Sequence, residues 1–367
     1  MKFLDRFKIG LVLVGFAAIL LGGGNAKADF TFGTPTTLWP NLNSPYMDGS
    51  PVVAADGLSL IFGSDLPNGD GEGNLWMTTR ETVEDDWGAL VPLANINSSA
   101  DESCLSLSAD GLSLFFSSFV GTPRPGGHGK CDIWVTTRAT ASDPWGQPEN
   151  LGPPVNTSSN DYGPFIWDDG CTLLFISDRD GGSGSYDLWI TTRETINDDW
   201  DTPVPLENVN SNGPELFPAM SSDGLILFFQ RGFQGTTDLW MATRKSIDEP
   251  FGPPERLPAP INYPDCDDCN PKFSADGSTL YISSNNSAES WDYNWWQVPI
   301  EPVVDLNDDG IVDAADMCII VDNWGTDEPS SDIGPMPWGD GIVDVQDLIV
   351  LAEHLFEEFP PVEEAVE

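Results

Sequence analysis

Basic residues and histidines are scarce in this sequence. Its 367 residues hold 15 lysines and arginines and 2 histidines against 59 aspartates and glutamates, a formal net charge of −44 at pH 7. A surface this negative repels nucleic acid phosphates and anionic lipid headgroups, so we expect neither as a partner. Because the histidines are His128 and His354 alone, a histidine-dependent hydrolase and a multi-histidine metal site are excluded.

Long apolar runs are equally scarce, and the one that stands out lies at the N-terminus. Three basic residues precede an apolar run over residues 9–21, and Ala26-Lys27-Ala28 then matches a small-x-small cleavage pattern. The run is shorter than the about 20 apolar residues of a membrane-spanning helix. We therefore predict a signal peptide over residues 1–28 and an exported protein, extracellular, periplasmic or at the cell surface, with no membrane span in the mature chain.

The chain has six cysteines, and they do not recur from one segment to the next. Cys266 and Cys269 form a lone C-x-x-C pair, without the second pair of ligands that a structural zinc site needs. Export permits disulfides. We interpret the pair as a local disulfide or as two free thiols.

A repeat dominates the middle of the chain. Five similar segments each contain an Asp-Gly turn between two apolar runs, and the turn aspartates recur at intervals of 53 to 59 residues: Asp56, Asp110, Asp169, Asp223 and Asp276. Asp-Gly in this setting predicts a β-hairpin in which both central residues take positive φ. A tryptophan-containing third strand follows each hairpin, and in four copies a fourth strand follows that ends at an asparagine.

The fifth copy lacks its fourth strand, and the opposite end of the chain supplies a match. The segment Phe32–Asn43 has the aromatic-glycine opening, the length and the closing asparagine of the other fourth strands. Four-stranded sheets that close into a ring leave no long unpaired edge. The sequence therefore predicts an all-β, five-bladed β-propeller over residues 29–302, with the N-terminal strand completing the last blade.

The repeat also resembles a known family. The S-x-D-G-x-x-L-x-F hairpin followed by Asp-Leu-Trp is similar to the WD-like repeat of exported TolB-type propellers, over residues 30–300. This resemblance implies the propeller fold and leaves function open, because propellers host binding, scaffolding and several hydrolase chemistries. TolB-type propellers usually have six blades, whereas this chain has five copies.

The composition changes after residue 302. Residues 305–316 follow the oxygen spacing of an EF-hand-like calcium loop, with Gly310 at its sharp turn. The predicted calcium ligands are Asp305, Asn307, Asp309, the carbonyl of Ile311, Asp313 and Asp316. A second loop offers Asp340, the carbonyl of Ile342, Asp344 and Asp347, but its first two ligand positions fall on Met336 and Trp338 unless a widened loop brings in Asp332. Capped helix starts with solvated acids are the alternative.

These loops resemble those of a type I dockerin, because an aspartate stands at position 12 and an apolar helix follows. The resemblance implies a small α-helical calcium-binding domain, residues 303–359, before an acidic tail at 360–367. It also implies a partner, a cohesin-like protein module or a cell-surface scaffold, often in polysaccharide degradation. The usual Ser-Thr contact pair is replaced by Ala314-Ala315 and Val345-Gln346, which leaves the partner open; a propeller–dockerin contact within the chain is the alternative.

An acid stands eight residues before each turn aspartate: Asp48, Glu102, Asp161, Glu215 and Asp268. These five ring acids should surround one mouth of the central channel. They can form a cation or sugar site with general acid or base roles, or each can cap a strand or pair with a neighbouring blade. Their equivalence favours the structural role. Arg179, Arg231 and Trp291 lie on loops of the same face and are further candidate ligand-binding positions. Arginines recur at the ends of the third strands and are predicted to be structural, bonding backbone carbonyls or nearby aspartates: Arg80, Arg138, Arg193 and Arg244. The recurring tryptophans are predicted to pack between blades.

The sequence therefore favours a secreted, non-catalytic binding or scaffold propeller carried on a calcium-dependent, dockerin-like module, with a glycan as a candidate ligand and no catalytic residue assigned. The alternative is a glycoside hydrolase or lyase that uses carboxylates at the propeller mouth.

Overall fold

The computed structural model of the chain describes residues 30–37, 48–66, 73–119, 124–232, 237–264, 266–285, 294–307, 309, 311–328, 330–334, 339 and 342–357. The expected signal peptide and acidic tail, Asp340 and Trp291 lie outside the described residues, as does the side chain of Asp48.

Within these ranges, 21 strands form five antiparallel sheets. The N-terminal segment contributes β1 (Phe30–Phe32) and β2 (Thr36–Thr37). The first blade consists of β3 (Asp48–Val53), β4 (Ser59–Ser64), β5 (Asn74–Thr79) and β6 (Val91–Pro92). The second consists of β7 (Asp101–Leu107), β8 (Ser113–Phe119), β9 (Asp132–Thr137) and β10 (Glu149–Asn150). The third consists of β11 (Asp161–Ile166), β12 (Thr172–Ser177), β13 (Asp187–Thr192) and β14 (Val204–Pro205). The fourth consists of β15 (Glu215–Met220), β16 (Ile226–Arg231), β17 (Asp238–Thr243) and β18 (Glu255–Arg256), and the fifth contains β19 (Asp268–Phe273), β20 (Thr279–Ser284) and β21 (Asn294–Pro302).

The fifth blade is completed by the N-terminal segment, as predicted. Strand β1 pairs antiparallel with the end of β21, Phe32 opposite Ile300, and β2 pairs further along the same strand, Thr36 opposite Gln297. Phe30 and Phe32 are 1% and 2% exposed in the core between the fourth and fifth blades. The five-bladed, four-stranded propeller is therefore confirmed, and the two ends of the repeat region meet in one sheet.

The hairpin turns differ from the prediction in one respect. Gly57, for example, has φ of +70°, but the preceding aspartates do not take positive φ in any of the five turns. In the first blade, a backbone bond from Ala54 N to Ser59 O (2.9 Å) closes a four-residue loop, and Asp56 accepts a hydrogen bond from Leu58 N (2.9 Å). A loop of this length needs the left-handed conformation at the glycine alone, so the aspartate acts through its side chain.

The fourth strands are short, and the closing asparagine extends their contact with the third strand. Asn156, fully buried, accepts from Ile133 N (2.9 Å) and donates to Ile133 O (2.8 Å). Its amide thus reproduces the hydrogen bonds of one more strand residue. The same pair of bonds joins Asn97 to Leu75, Asn210 to Leu188 and Asn262 to Leu239.

The core lies in the five gaps between blades. Leu173 and Phe175 of β12 pack toward the second blade, whereas Leu174 and Ile176 pack toward the fourth. Successive side chains point to opposite faces of a strand, and both faces of each blade are covered. This explains the nearly continuous apolar runs of the second strands. The predicted inter-blade role of the tryptophans is confirmed for seven that are buried in these clusters: Trp76, Trp87, Trp134, Trp145, Trp189, Trp200 and Trp295.

The C-terminal segment has its own apolar cluster and contains two helices in its described part, α1 (Ala314–Asp322) and α2 (Val345–Glu353). Val312 and Ile320 of the first half pack with Val343 and Leu351 of the second. Neither helix is long and apolar enough to cross a membrane, and the described residues hold no other candidate span.

Candidate functional site

The ring acids lie where each innermost strand begins, at the joint with the preceding blade. The backbone N–H of Glu102 donates to Gly73 O (3.1 Å), and that of Asp161 donates to Cys131 O (2.9 Å). The later blades repeat this bond, from Glu215 to Tyr186 and from Asp268 to Thr237, each at 3.0 Å. The acids therefore occupy equivalent positions around one end of the channel.

The four ring acids whose side chains are described are fully buried: Glu102, Asp161, Glu215 and Asp268 are each 0% exposed. The loop just before each strand supplies donors to the carboxylate. Asp161 accepts from Thr157 N (2.6 Å) and Thr157 Oγ1 (2.8 Å), and Glu215 accepts from Ser211 N (3.0 Å) and the Ser211 hydroxyl. The side chains are thus turned into the blade joints and do not line an open mouth.

Three of these carboxylates form ion pairs with arginines: Arg124 and Arg179 lie in the loops after the second strands, and Arg231 is the last residue of β16. The distances are 3.1 Å for Arg124–Glu102, 2.6 Å for Arg179–Asp161 and 2.9 Å for Arg231–Glu215. The arginines also donate to nearby backbone carbonyls and lie over the third-strand tryptophans, at 5.0, 5.1 and 4.4 Å from the ring centroids of Trp134, Trp189 and Trp240. Charge, hydrogen bonding and cation–π contact together offset the cost of burying each pair.

Arg179 and Arg231, predicted as candidate ligand-binding positions, are therefore two copies of one repeated arrangement in which an arginine pairs with a buried ring acid. Arg124 is the third copy. The sequence conceals the repeat because the separation from ring acid to arginine is 22, 18 and 16 residues in the three blades. The loops between them differ in length, and the match appears only when the side chains meet in space.

Asp268 of the fifth blade is the exception. It accepts from Tyr263 N (2.9 Å), and no arginine pairs with it among the described residues. Its Oδ1 atom is buried without a hydrogen-bond partner in the part of the chain that is described. Burial raises the pKa of Asp268 to about 6 even though Ser284 and the Tyr263 backbone act to lower it. One ring acid is thus chemically distinct from the other described ones.

A second set of arginines, at the ends of the third strands, is structural as predicted. Arg80 donates from Nε to Gly57 O (2.8 Å) and lies 4.4 Å from the ring centroid of Trp87. Arg138, Arg193 and Arg244 repeat both contacts in the next three blades. Each arginine thus contacts both a hairpin turn and the aromatic residue that precedes the fourth strand.

A cavity of about 250 Å³ lies on the ring-acid face of the second blade. Its lining includes Arg124, Lys130, Asp132 and Trp134. Asp132 is 4% exposed and accepts from the backbone N–H groups of His128 (2.7 Å) and Gly129 (3.1 Å), so it holds the loop in place. An aromatic ring beside cationic side chains suits a polar ligand such as a sugar or an acid.

In the C-terminal segment, each helix begins at a capping box built from two predicted loop residues. Asp313 accepts from Ala315 N (2.6 Å), while Asp316 accepts from Asp313 N (2.8 Å). Asp344 and Asp347 repeat this arrangement at α2. Asp316 also accepts from Leu306 N (2.7 Å), just as Asp347 accepts from Gly334 N (2.8 Å), so both position-12 acids brace the start of their loops.

Three of the predicted oxygen ligands of the first loop accept hydrogen bonds from the backbone of the loop itself. Asp309 N donates to Asn307 Oδ1 (2.9 Å) and to Asp305 Oδ1 (3.2 Å), and Ile311 N donates to Asp309 Oδ1 (3.0 Å). Oxygen donors in this order suit calcium. The carboxylates are not drawn together, however, since no group of three or more His, Cys, Asp or Glu side chains forms a metal site among the described residues. The donor set therefore fits calcium in the kind of oxygen that it offers and in the order of those oxygens along the loop.

In the second half of the module, Asp332 lies against Gly339. A Cβ atom placed on Gly339, whose φ is +69°, would stand 2.5 Å from Asp332 Oδ1. Ile311 and Ile342 are 44% and 54% exposed, and any calcium contact of these two residues would use their carbonyls.

All six cysteines, including Cys266 and Cys269, are present as thiols.

Comparison with known proteins yields fold likeness alone. No protein-family model matches the chain, and no curated protein matches it in sequence. Among solved structures, TolB from Acinetobacter baumannii is 15% identical (TM-score 0.42) over 76% of this chain, which spans 61% of that chain. A thermostable family-43 glycoside hydrolase is 13% identical (TM-score 0.49) over 72% of this chain and 92% of its own. The catalytic domain of a GH62 α-L-arabinofuranosidase from Coprinopsis cinerea is 10% identical (TM-score 0.46), over 75% and 97%.

Proposed function

We propose that this chain is an exported, non-catalytic binding propeller. A calcium-dependent, dockerin-like C-terminal module attaches it to a cohesin-like protein module or a cell-surface scaffold, and the propeller presents its ring-acid face to a ligand such as a glycan.

The observation that carries the non-catalytic role is the state of the ring acids. General acid or base catalysis needs a carboxyl group within hydrogen-bond reach of the substrate. Glu102, Asp161 and Glu215 are fully buried and each is paired with an arginine. Carboxylates used in this way join blades, which supports a rigid binding surface in place of an active site.

Calcium would be held in the first loop by Asp305, Asn307, Asp309, Asp313, Asp316 and the carbonyl of Ile311. In the second loop, Asp332, Asp340, Asp344, Asp347 and the carbonyl of Ile342 would serve. When bound, the cation would neutralise carboxylates of like charge that otherwise repel one another within a short loop. The matching capping boxes support two sites of related design.

Exposed apolar side chains support a protein partner for this module. Val321 and Trp324 of the first half are 55% and 48% exposed, and Val345 and Ile349 of the second are 55% and 54% exposed. Val345 and Ile349 are one turn apart on α2 and form an exposed apolar pair on this helix. Contiguous exposed apolar side chains mark a docking surface more often than isolated ones do.

Calcium titration of the full chain tests the module. A ligand that binds only the folded state stabilises it by about 2.7 kcal/mol at a hundredfold excess over Kd. We expect a gain of this size in the unfolding of the module. Asp309→Asn should remove the contribution of the first loop, whereas Asp322→Asn, on the exposed side of α1, should not. A parent chain whose unfolding ignores calcium contradicts the module assignment.

A glycan array probed with the full chain tests the propeller, and incubation with the bound glycans tests for cleavage. Binding without release of reducing ends supports the proposal, whereas cleavage supports a glycoside hydrolase or lyase. That second function is favoured by Asp268, whose raised pKa suits a general acid. Asp268→Asn should then abolish cleavage, and Asp143→Asn, at an exposed position of the second blade, should not.

A further inference from the structure

The central channel contains a cavity of about 160 Å³ at the end opposite the ring acids, where the five hairpin turns meet. Each innermost strand runs from its ring acid to its turn, so the two ends of the channel are chemically separate. The walls of the cavity are about half apolar, and the apolar part includes Val52, Phe165, Ile166, Met220 and Phe273. Serine hydroxyls, among them those of Ser106 and Ser222, interrupt the apolar surface.

One cation, Lys272, lies among the described lining residues of this cavity. It stands four residues before its turn aspartate, where the other blades carry Val52, Ser106, Phe165 and Ala219. Its Nζ lies 5.7 Å from the ring centroid of Phe165. Lys272 belongs to the fifth blade and Phe165 to the third, and these blades are not neighbours. The side chain therefore crosses the channel and places its ammonium group near the axis.

This ammonium group has no counter-ion among the described residues. No carboxylate oxygen of a described residue lies within 4.0 Å of its Nζ, the limit for an ion pair. Its cation–π contact is with the ring of Phe165. The other titratable groups that face it are Asp168 and Tyr281 in the lining and the thiol of Cys104. Burial lowers the pKa of Lys272 to about 8. A cation that is partly removed from water without an anion is destabilised, and an anionic ligand would relieve that cost.

We propose that this cavity binds the carboxylate of a small organic acid with an apolar body, and that Lys272 is its counter-ion. The size is suitable, because an apolar cavity of about 150 Å³ accommodates benzene. The apolar walls would receive the body of the ligand. Ser106 Oγ already accepts from Ile166 N (3.0 Å), so its hydroxyl proton is available to the carboxylate.

The surrounding charge works against this ligand at long range. The chain carries a net charge of −44, and Asp168 lies in the cavity lining. Salt at physiological strength screens exposed charges beyond about 8 Å, whereas a buried pair is screened much less. Binding should therefore be measured at physiological ionic strength, because salt then screens the repulsion between the anion and the exposed carboxylates.

Isothermal titration of the full chain with benzoate tests the proposal, and benzamide serves as the neutral probe of the same shape. We expect benzoate to bind the parent chain and Lys245→Met, which removes an exposed lysine. Binding to Lys272→Met should be at least tenfold weaker, and benzamide should bind at least tenfold more weakly than benzoate. Equal binding by Lys272→Met, or by benzamide, overturns the proposal, as does a parent chain that does not bind benzoate.

A measurement on the unchanged protein avoids any folding defect of the variant. Lys130, Lys245 and Lys272 are the lysines after residue 28, so acetylation by acetic anhydride can be followed at each by mass spectrometry. Benzoate should slow acetylation of Lys272 and leave the rates at Lys130 and Lys245 unchanged. Equal rates at Lys272 with and without benzoate contradict the site.

Discussion

Two ion pairs of equal length and unequal burial provide a direct test of what holds the blades together. Arg179–Asp161 and Arg256–Asp238 both measure 2.6 Å. The side chains of the first pair are 11% and 0% exposed, whereas those of the second are 47% and 27% exposed. The perturbation is the same in both cases, replacement of the arginine by methionine, which removes the charge and retains an unbranched apolar side chain.

The expected magnitudes differ because the acids left behind differ in their access to water. Asp161 would keep its hydrogen bonds from Thr157 and Ser177 (2.6 Å to the Ser177 hydroxyl) but would be a buried, unpaired charge. Loss of one partner of a buried pair costs about 3–5 kcal/mol. Loss of an exposed pair costs about 1 kcal/mol or less. At about 2–4 °C per kcal/mol for a domain of this size, Arg179→Met should lower the melting temperature by about 10 °C.

Urea unfolding followed by tryptophan fluorescence gives both free energies under one set of conditions. The double variant Arg179→Met/Asp161→Asn should recover most of the loss, because it leaves no unpaired charge in the joint. If Arg179→Met and Arg256→Met unfold at the same urea concentration, burial does not govern these pairs. A double variant no more stable than Arg179→Met would mean that packing of the arginine, and not its charge, holds the joint.

Three further outcomes are expected. Burial lowers the pKa of Lys272 from 10.5 to about 8, so between these pH values the unfolded chain binds more protons than the folded one. The free energy of unfolding should therefore rise with pH, by about 3 kcal/mol. Urea unfolding of Lys272→Met should lack this rise, and the variant should be more stable than the parent chain, most clearly below pH 8. Deletion of residues 30–37 removes the paired edge of the fifth blade, so calorimetry should show loss of cooperative unfolding and size exclusion should show aggregation; a normal melt means that the ring closes differently. Asn156→Asp leaves Ile133 O without its buried donor and should cost about 1–3 kcal/mol in urea unfolding, and an unchanged midpoint would show that the amide bond is dispensable.

Local signals predicted the repeat well and its turn conformation poorly. The Asp-Gly pairs and apolar alternation located all five hairpins, because a turn and its flanking strands are contiguous in the chain. Positive φ at both turn residues was wrong, since loops of two and four residues carry the same dipeptide. The structural interpretation of Arg80 and its three equivalents was confirmed, because these arginines recur at a constant distance after the strand tryptophan.

The ring acids illustrate what a sequence pattern conveys about a site and what it omits. Their constant spacing from the turn aspartates predicted equivalent positions around the channel. It carried no information on burial. Arg179 and Arg231 were predicted as ligand-binding positions, and their pairing with ring acids was not predicted because the intervening loops vary in length. Nor did the pattern distinguish Asp268, whose difference is the absence of an arginine partner among the described residues.

The amino-acid sequence by itself determined the number of blades, the strand order and the closure of the fifth blade by the N-terminal segment. These properties depend on hydrogen bonding and side-chain alternation between neighbouring strands, which a repeat records directly. The tertiary structure alone decided which charges meet: Arg179 pairs with Asp161 in a buried joint, whereas Lys272 has no carboxylate within ion-pair distance among the described residues. Ion pairing depends on distances set by loop length and blade packing, and burial determines its free energy; neither quantity is written in the order of the residues.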